Sequence, residues 1–75
     1  MTDNDREKLE LQLLEVKNRV ELLDMIEERL LLARQLALLA MNPELTKVEQ
    51  EALNNQFTII QSEINLLNHA MENFS

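Results

Sequence analysis

The chain has 75 residues, a formal net charge of −7 and no cysteine, which excludes disulfides and thiolate metal sites. A chain this short hides only about 60% of its unfolded surface and is marginally stable alone, so we expect self-association or a larger partner. The acidic charge disfavours nucleic acid and anionic membranes as partners. With no Gly, one Pro and abundant Leu, Glu and Gln, the composition predicts an all-α protein forming one helical-hairpin domain over residues 1–75.

The first predicted helix covers about residues 5–41. Asn4 or Asp5 is its expected N-cap, and Pro43 sets its end because a residue that precedes proline is pushed out of the α region. Apolar residues recur along it at the helical period, and only the step from the fifth to the sixth departs from strict 4-3 alternation. They are Leu9, Leu13, Val16, Val20, Leu23, Ile26, Leu30, Ala33, Ala37 and Ala40. A second apolar line flanks this stripe with Leu14, Leu22, Leu36, Leu38, Leu39 and Met41.

The second predicted helix covers about residues 47–73. Thr46 and Glu49 have the spacing of a capping box, which leaves residues 42–45 as a short connection typical of antiparallel neighbouring helices. Its apolar residues alternate strictly in steps of four and three, the pattern of a coiled-coil seam. They are Leu53, Phe57, Ile60, Ile64, Leu67, Met71 and Phe74.

Both helices carry apolar faces wider than one neighbour can cover, and the start of the longer first helix has no partner within the chain. We therefore expect two hairpins to associate into a four-helix bundle or coiled coil, as a homodimer. The expected interface residues are Leu9, Leu13, Val16, Val20, Leu23, Leu53, Phe57, Ile60, Ile64, Leu67 and Met71.

No constellation in the sequence predicts catalysis, a cofactor or a metal. His69 is the only candidate general base; with Glu72 it makes half of a metal pair at most, and no E-x-x-H motif occurs. The absence of Gly excludes a phosphate-cradling loop. The most apolar run, Leu30–Met41, is shorter than the roughly 20 residues that span a bilayer, and the acidic N-terminus is not typical of a signal peptide. We expect a non-enzymatic protein outside the membrane.

Residues 22–67 carry a family resemblance centred on the turn. The segment 33–65, ARQLALLAMNPELTKVEQEALNNQFTIIQSEIN, resembles the conserved N-terminal core hairpin of bacterial flagellins. Matching positions are Arg34, Leu36, Ala37, Ala40, Asn42, Thr46, Glu49, Leu53, Phe57, Glu63 and Ile64, with Leu23, Ile26 and Leu30 upstream. The resemblance implies a filament-related assembly element and, with it, an extracellular location; otherwise we expect the cytoplasm.

This chain departs from the flagellin pattern at three positions. Pro43 stands where the family has its turn glycine, Gln56 replaces a glutamate, and Leu32 replaces an arginine. The last two belong to the surface that an innate immune receptor recognises in flagellins, so we do not predict that recognition. The first twenty residues also differ from the flagellin terminus, so a complete filament subunit is not predicted.

Two functions follow from the sequence. The first is a structural or interaction protein, a self-associating helical hairpin of the flagellin-like assembly type. The second is a small acidic adaptor or regulator that binds a basic or helical partner protein in the groove of the hairpin.

Overall fold

Two long helices make up the fold. The computed structural model describes residues 2–73 and places α1 at Asp3–Ala40 and α2 at Lys47–Glu72. Only helices occur as regular elements within residues 2–73, so the predicted all-α hairpin is confirmed. Phe74, the last residue of the predicted second stripe, lies outside the described residues.

The first helix begins earlier than its sequence predicts, and the expected cap at Asn4 or Asp5 is wrong. Thr2 is the N-cap: its hydroxyl accepts a hydrogen bond from the Asp5 backbone N–H at 3.2 Å. The Asp5 carboxylate in turn accepts from the Thr2 backbone N–H at 3.5 Å. This reciprocal pair satisfies two backbone donors, whereas a cap at Asn4 would leave the preceding turn unformed. The acidic Asp3 and Asp5 in the first turn also suit the positive end of the helix dipole.

The connection between the helices is held by short-range hydrogen bonds. Met41 is the C-cap of α1, and the Asn42 side-chain oxygen accepts a hydrogen bond from the Glu44 backbone N–H at 3.0 Å, which bends the chain around Pro43. Thr46 then caps α2 in the predicted capping box with Glu49, whose backbone N–H donates to the Thr46 hydroxyl at 3.1 Å. The turn therefore uses the residues that the sequence assigned to it.

The two helices pack along one seam, which sets the antiparallel pairing. From Leu22 onward the half-buried positions on α1 recur in steps of four and three, the spacing of a coiled-coil seam. The half-buried α1 residues at this seam are Leu22, Ile26, Arg29, Ala33 and Leu36. Those on α2 are Leu53, Ile60, Glu63, Ile64, Leu67, Ala70 and Met71.

An ion pair inside this seam fixes the register. The Arg29 guanidinium Nε donates to Glu63 Oε2, joining residues 34 positions apart in the chain. Both side chains are more than half shielded from solvent, with 30% and 39% of their surface exposed. Because only one antiparallel register brings these two residues together, the pair selects that register among the alternatives that a leucine-rich seam allows.

We expect this ion pair to contribute a measurable coupling to stability. Arg29→Met and Glu63→Gln, alone and together, form a double-mutant cycle with an expected coupling of about 1 kcal/mol, because the pair is partly shielded and hydrogen-bonded. Urea unfolding monitored by circular dichroism measures it. The exposed pair Arg6–Glu10, at 3.4 Å on α1, is the matched control, with an expected coupling below about 0.5 kcal/mol. Equal couplings would contradict a register-setting role.

The hairpin is elongated and open. Its radius of gyration is 18.9 Å, against about 11 Å for a compact domain of this length. Among the described residues no side chain reaches full burial. A single seam between two helices thus leaves much of the apolar surface of each helix in contact with solvent.

Candidate interaction surfaces

The first turns of α1 project beyond the hairpin as an arm. Antiparallel pairing of Arg29 with Glu63 places the end of α2 beside about residue 20 of α1 at equal rise per residue. Residues 3–17 are all exposed, and Asn18 is the first half-buried position. We call residues 3–17 the arm; at 1.5 Å per residue it is about 22 Å long.

An apolar outer stripe runs along the arm and continues into the paired part of α1. Its side chains lie roughly 140° around the helix from those that face α2, at 100° per residue, so α2 does not cover them. Between 49% and 70% of each is exposed. The outer stripe consists of Leu9, Leu13, Val16, Val20 and Leu23.

The predicted α1 stripe therefore divides between two faces. Its first five members form the outer stripe, whereas Ile26 and Ala33 belong to the seam with α2. The division falls at the step from Leu23 to Ile26, the one break in the 4-3 alternation. Leu22 and Leu36, which belong to the flanking apolar line, also contribute to the seam with α2. The break in the alternation therefore marks the point where the stripe passes from one face of α1 to another.

The six predicted interface residues on α2 face α1 within the same chain. Five of them are half-buried: Leu53, Ile60, Ile64, Leu67 and Met71. The sixth, Phe57, keeps 41% of its surface exposed at the edge of the seam. Since α1 already covers much of this stripe, its contacts to a second chain remain a prediction.

A side groove lies along one flank of the hairpin, between α1 and α2. On each helix its apolar residues recur every seven positions, which keeps them on one line along the helix. Leu32, Leu39 and Ile59 line one segment of the groove, and Met25 and Leu66 line the next segment toward the open end. The apolar part of the side groove is formed by Met25, Leu32, Leu39, Ala52, Ile59 and Leu66, and polar side chains that also line it are Arg29, Gln35, Glu49, Gln56 and Glu63.

Sequence reasoning missed the side groove as a unit. Ile59 and Leu66 lie outside the 4-3 stripe of the second helix, and nothing in the spacing of either helix connects them with Met25, Leu32 and Leu39. The seven-residue spacing was visible on both helices, but only the packed hairpin shows that the two lines adjoin. Ile59 is 59% exposed and Leu66 is 70% exposed, so this surface is unfilled by the chain itself.

His69 is exposed on α2, and its Nδ1 lies 3.7 Å from Glu72 Oε2 in an exposed pair. Within residues 2–73, His, Asp and Glu side chains do not gather in groups of three that could hold a metal ion. Neither described helix is sufficiently long and apolar to cross a bilayer.

Comparisons with protein-family models, with curated proteins and with solved structures found no match for this chain. The flagellin resemblance of residues 22–67 therefore stays a prediction from the residues themselves. The exposed apolar surfaces, rather than a relative, provide the basis for a functional proposal.

Proposed function

We propose that this chain is a non-enzymatic structural or interaction protein, a helical hairpin that self-associates by placing two side grooves face to face. The proposal is supported mainly by the large solvent-exposed surface of the chain. The chain exposes 6398 Å², whereas a compact protein of 8.8 kDa exposes about 4,800 Å². The excess of roughly 1,600 Å² per chain would amount to about 3,200 Å² in a dimer, within the range of obligate homodimers.

The geometry of the side groove suits a second hairpin. Two lines of apolar residues with seven-residue spacing, one on each helix, are what a four-helix bundle uses to fill its centre. Face-to-face packing would bring Met25, Leu32 and Leu39 against the Ile59 and Leu66 side of the second copy, or against their own symmetry mates. Either arrangement removes large aliphatic side chains from water, and each Å² of apolar surface that is buried stabilises the dimer by about 25 cal/mol.

Sedimentation equilibrium at micromolar concentration tests this proposal. We expect a mass of at least twice 8.8 kDa, and a lower mass for Ile59→Lys, because a charge at the centre of the groove is costly to bury. Leu38→Lys is the matched control: Leu38 is also 59% exposed but lies on the α1 face away from the groove. A fully folded wild-type monomer near 8.8 kDa would overturn the proposal.

The flagellin resemblance narrows this function to an element of a filament-type assembly. It rests on matched positions around the turn, among them Asn42, Thr46 and Glu49, where the capping chemistry that the pattern requires is formed. Helical hairpins of this kind assemble through their apolar faces, which agrees with the exposed side groove.

An acidic adaptor is the second candidate, favoured by the net charge of −7 beside an open apolar groove. Such a groove can accept a third helix, and a basic amphipathic helix would complement the charge. A basic helical peptide titrated into the protein distinguishes the two functions. Salt-sensitive binding that replaces the homodimer favours the adaptor, whereas a salt-insensitive homodimer that ignores the peptide favours self-association.

A further inference from the structure

We infer that the arms of two copies pair antiparallel through the outer stripe, at a second self-association surface separate from the side groove. The proposed bundle does not account for this stripe. The side groove lies roughly 140° around α1 from the outer stripe, so hairpins packed groove to groove leave the stripe exposed. The inference therefore goes beyond the proposed function.

The spacing of the outer stripe fits a helix partner. Its five residues follow one another in steps of four, three, four and three, the repeat that keeps one seam facing a partner helix. The side chains are all Leu or Val, and each remains at least 49% exposed in the hairpin. A partner helix of similar apolar pattern would cover them, and the arm of a second copy provides such a helix.

The charges beside the stripe select one antiparallel register. When Leu13 lies opposite Val16 of the second copy, Leu9 lies opposite Val20 of that copy. This register brings Glu10 beside Lys17 of the second copy, and the twofold axis repeats the contact. Both residues occupy positions that flank a coiled-coil seam, where opposite charges set partner and orientation. Two ion pairs therefore flank four apolar contact layers, while at the outer ends of the contact Leu23 lies opposite Arg6 of the second copy and Asp24 lies beside Asp3 of that copy.

Other arrangements of the same stripe bring like charges together. Sliding the helices so that Val16 faces Val20 of the second copy places Lys17 beside its own symmetry mate and Glu10 beside an acidic Asp24. A parallel pair places Arg6 against Arg6 and Glu27 against Glu27 within the seam itself, because both continue its spacing. Like charges in these positions oppose pairing.

A chain with two such surfaces assembles beyond a dimer. The side groove would join two hairpins, and the outer stripe would join that pair to another copy. Two different twofold contacts on one chain produce a tetramer when their axes meet, and an extended row of molecules when they do not. The wild-type mass is therefore expected to exceed twice 8.8 kDa.

A charge exchange tests the pairing of the arms. Glu10→Lys and Lys17→Glu each create like-charge contacts, and each should reduce the wild-type mass by at least half in sedimentation equilibrium at low ionic strength. The double variant restores opposite charges in exchanged positions, so we expect it to recover the wild-type mass. Glu10→Lys also removes the ion pair of Glu10 with Arg6 in the same helix, whereas Lys17→Glu leaves that ion pair in place. The loss of the Arg6–Glu10 pair therefore does not explain a lower mass that both variants share.

Two further variants separate the stripe from the rest of the arm. Leu13→Lys should reduce the mass by at least half, whereas Leu11→Lys should leave it unchanged, although Leu11 is 61% exposed on the same arm. Unchanged mass in both single charge variants, or a double variant that fails to recover it, would overturn the inference. Ile59→Lys tests the side groove independently: if it leaves the mass unchanged while the charge variants lower it, arm pairing stands and the proposed bundle fails.

Discussion

Ile64→Asp is expected to lower the free energy of unfolding by about 3 kcal/mol, a large share of the stability of a chain this size. Ile64 is half-buried in the middle of the α2 seam and directly follows Glu63 of the Arg29–Glu63 ion pair. The substitution removes apolar contacts with α1 and places a carboxylate next to Glu63 in a partly shielded seam. Urea unfolding monitored by circular dichroism at fixed protein concentration measures the change.

Gln61→Asp is the control for this substitution. Gln61 is exposed on α2, so the same new carboxylate should change the free energy of unfolding by less than about 0.5 kcal/mol. The two positions are three residues apart in one helix, so differences in helix propensity between sites are small. If the two variants lost equal stability, the assignment of the α2 seam would be wrong.

A hundredfold dilution is expected to lower the thermal midpoint Tm by about 5–10 °C. If folding is linked to association, a dimer loses about 2.7 kcal/mol of stability on such a dilution, or half of that per chain. For domains of 60–100 residues, each kcal/mol corresponds to a change of about 4–8 °C in Tm. The hairpin by itself has little shielded surface, since no described side chain is fully buried.

Thermal unfolding followed by circular dichroism over that concentration range gives the measurement. A Tm constant to within about 1 °C would indicate that the single hairpin contains all of its own stability. That result would count against the proposed bundle and against the pairing of arms, because each links stability to concentration. It would leave the hairpin fold itself unaffected.

Local chemistry explains why the hairpin could be predicted. Pro43 and the Thr46–Glu49 capping box determine the end of one helix and the start of the next, and both act within a few residues of chain. The start of the first helix is harder to predict because residues 2–5 are all of types that cap helices, and their order along the chain does not show which one begins the helix. The structure selects Thr2, whose hydroxyl and the Asp5 carboxylate both find backbone donors.

The sequence by itself determined the two helices, the turn and the seam of α2, because strict 4-3 spacing over one helix needs no knowledge of its partner. Only the tertiary structure decided which face of α1 meets α2. Because α1 is apolar on more than one side, the spacing of its residues does not show which side packs against α2. The register of Arg29 with Glu63 places Leu22 and Ile26 inward and leaves Leu13 and the rest of the outer stripe exposed. The side groove was likewise decided by packing, because it exists only where residues of two helices adjoin.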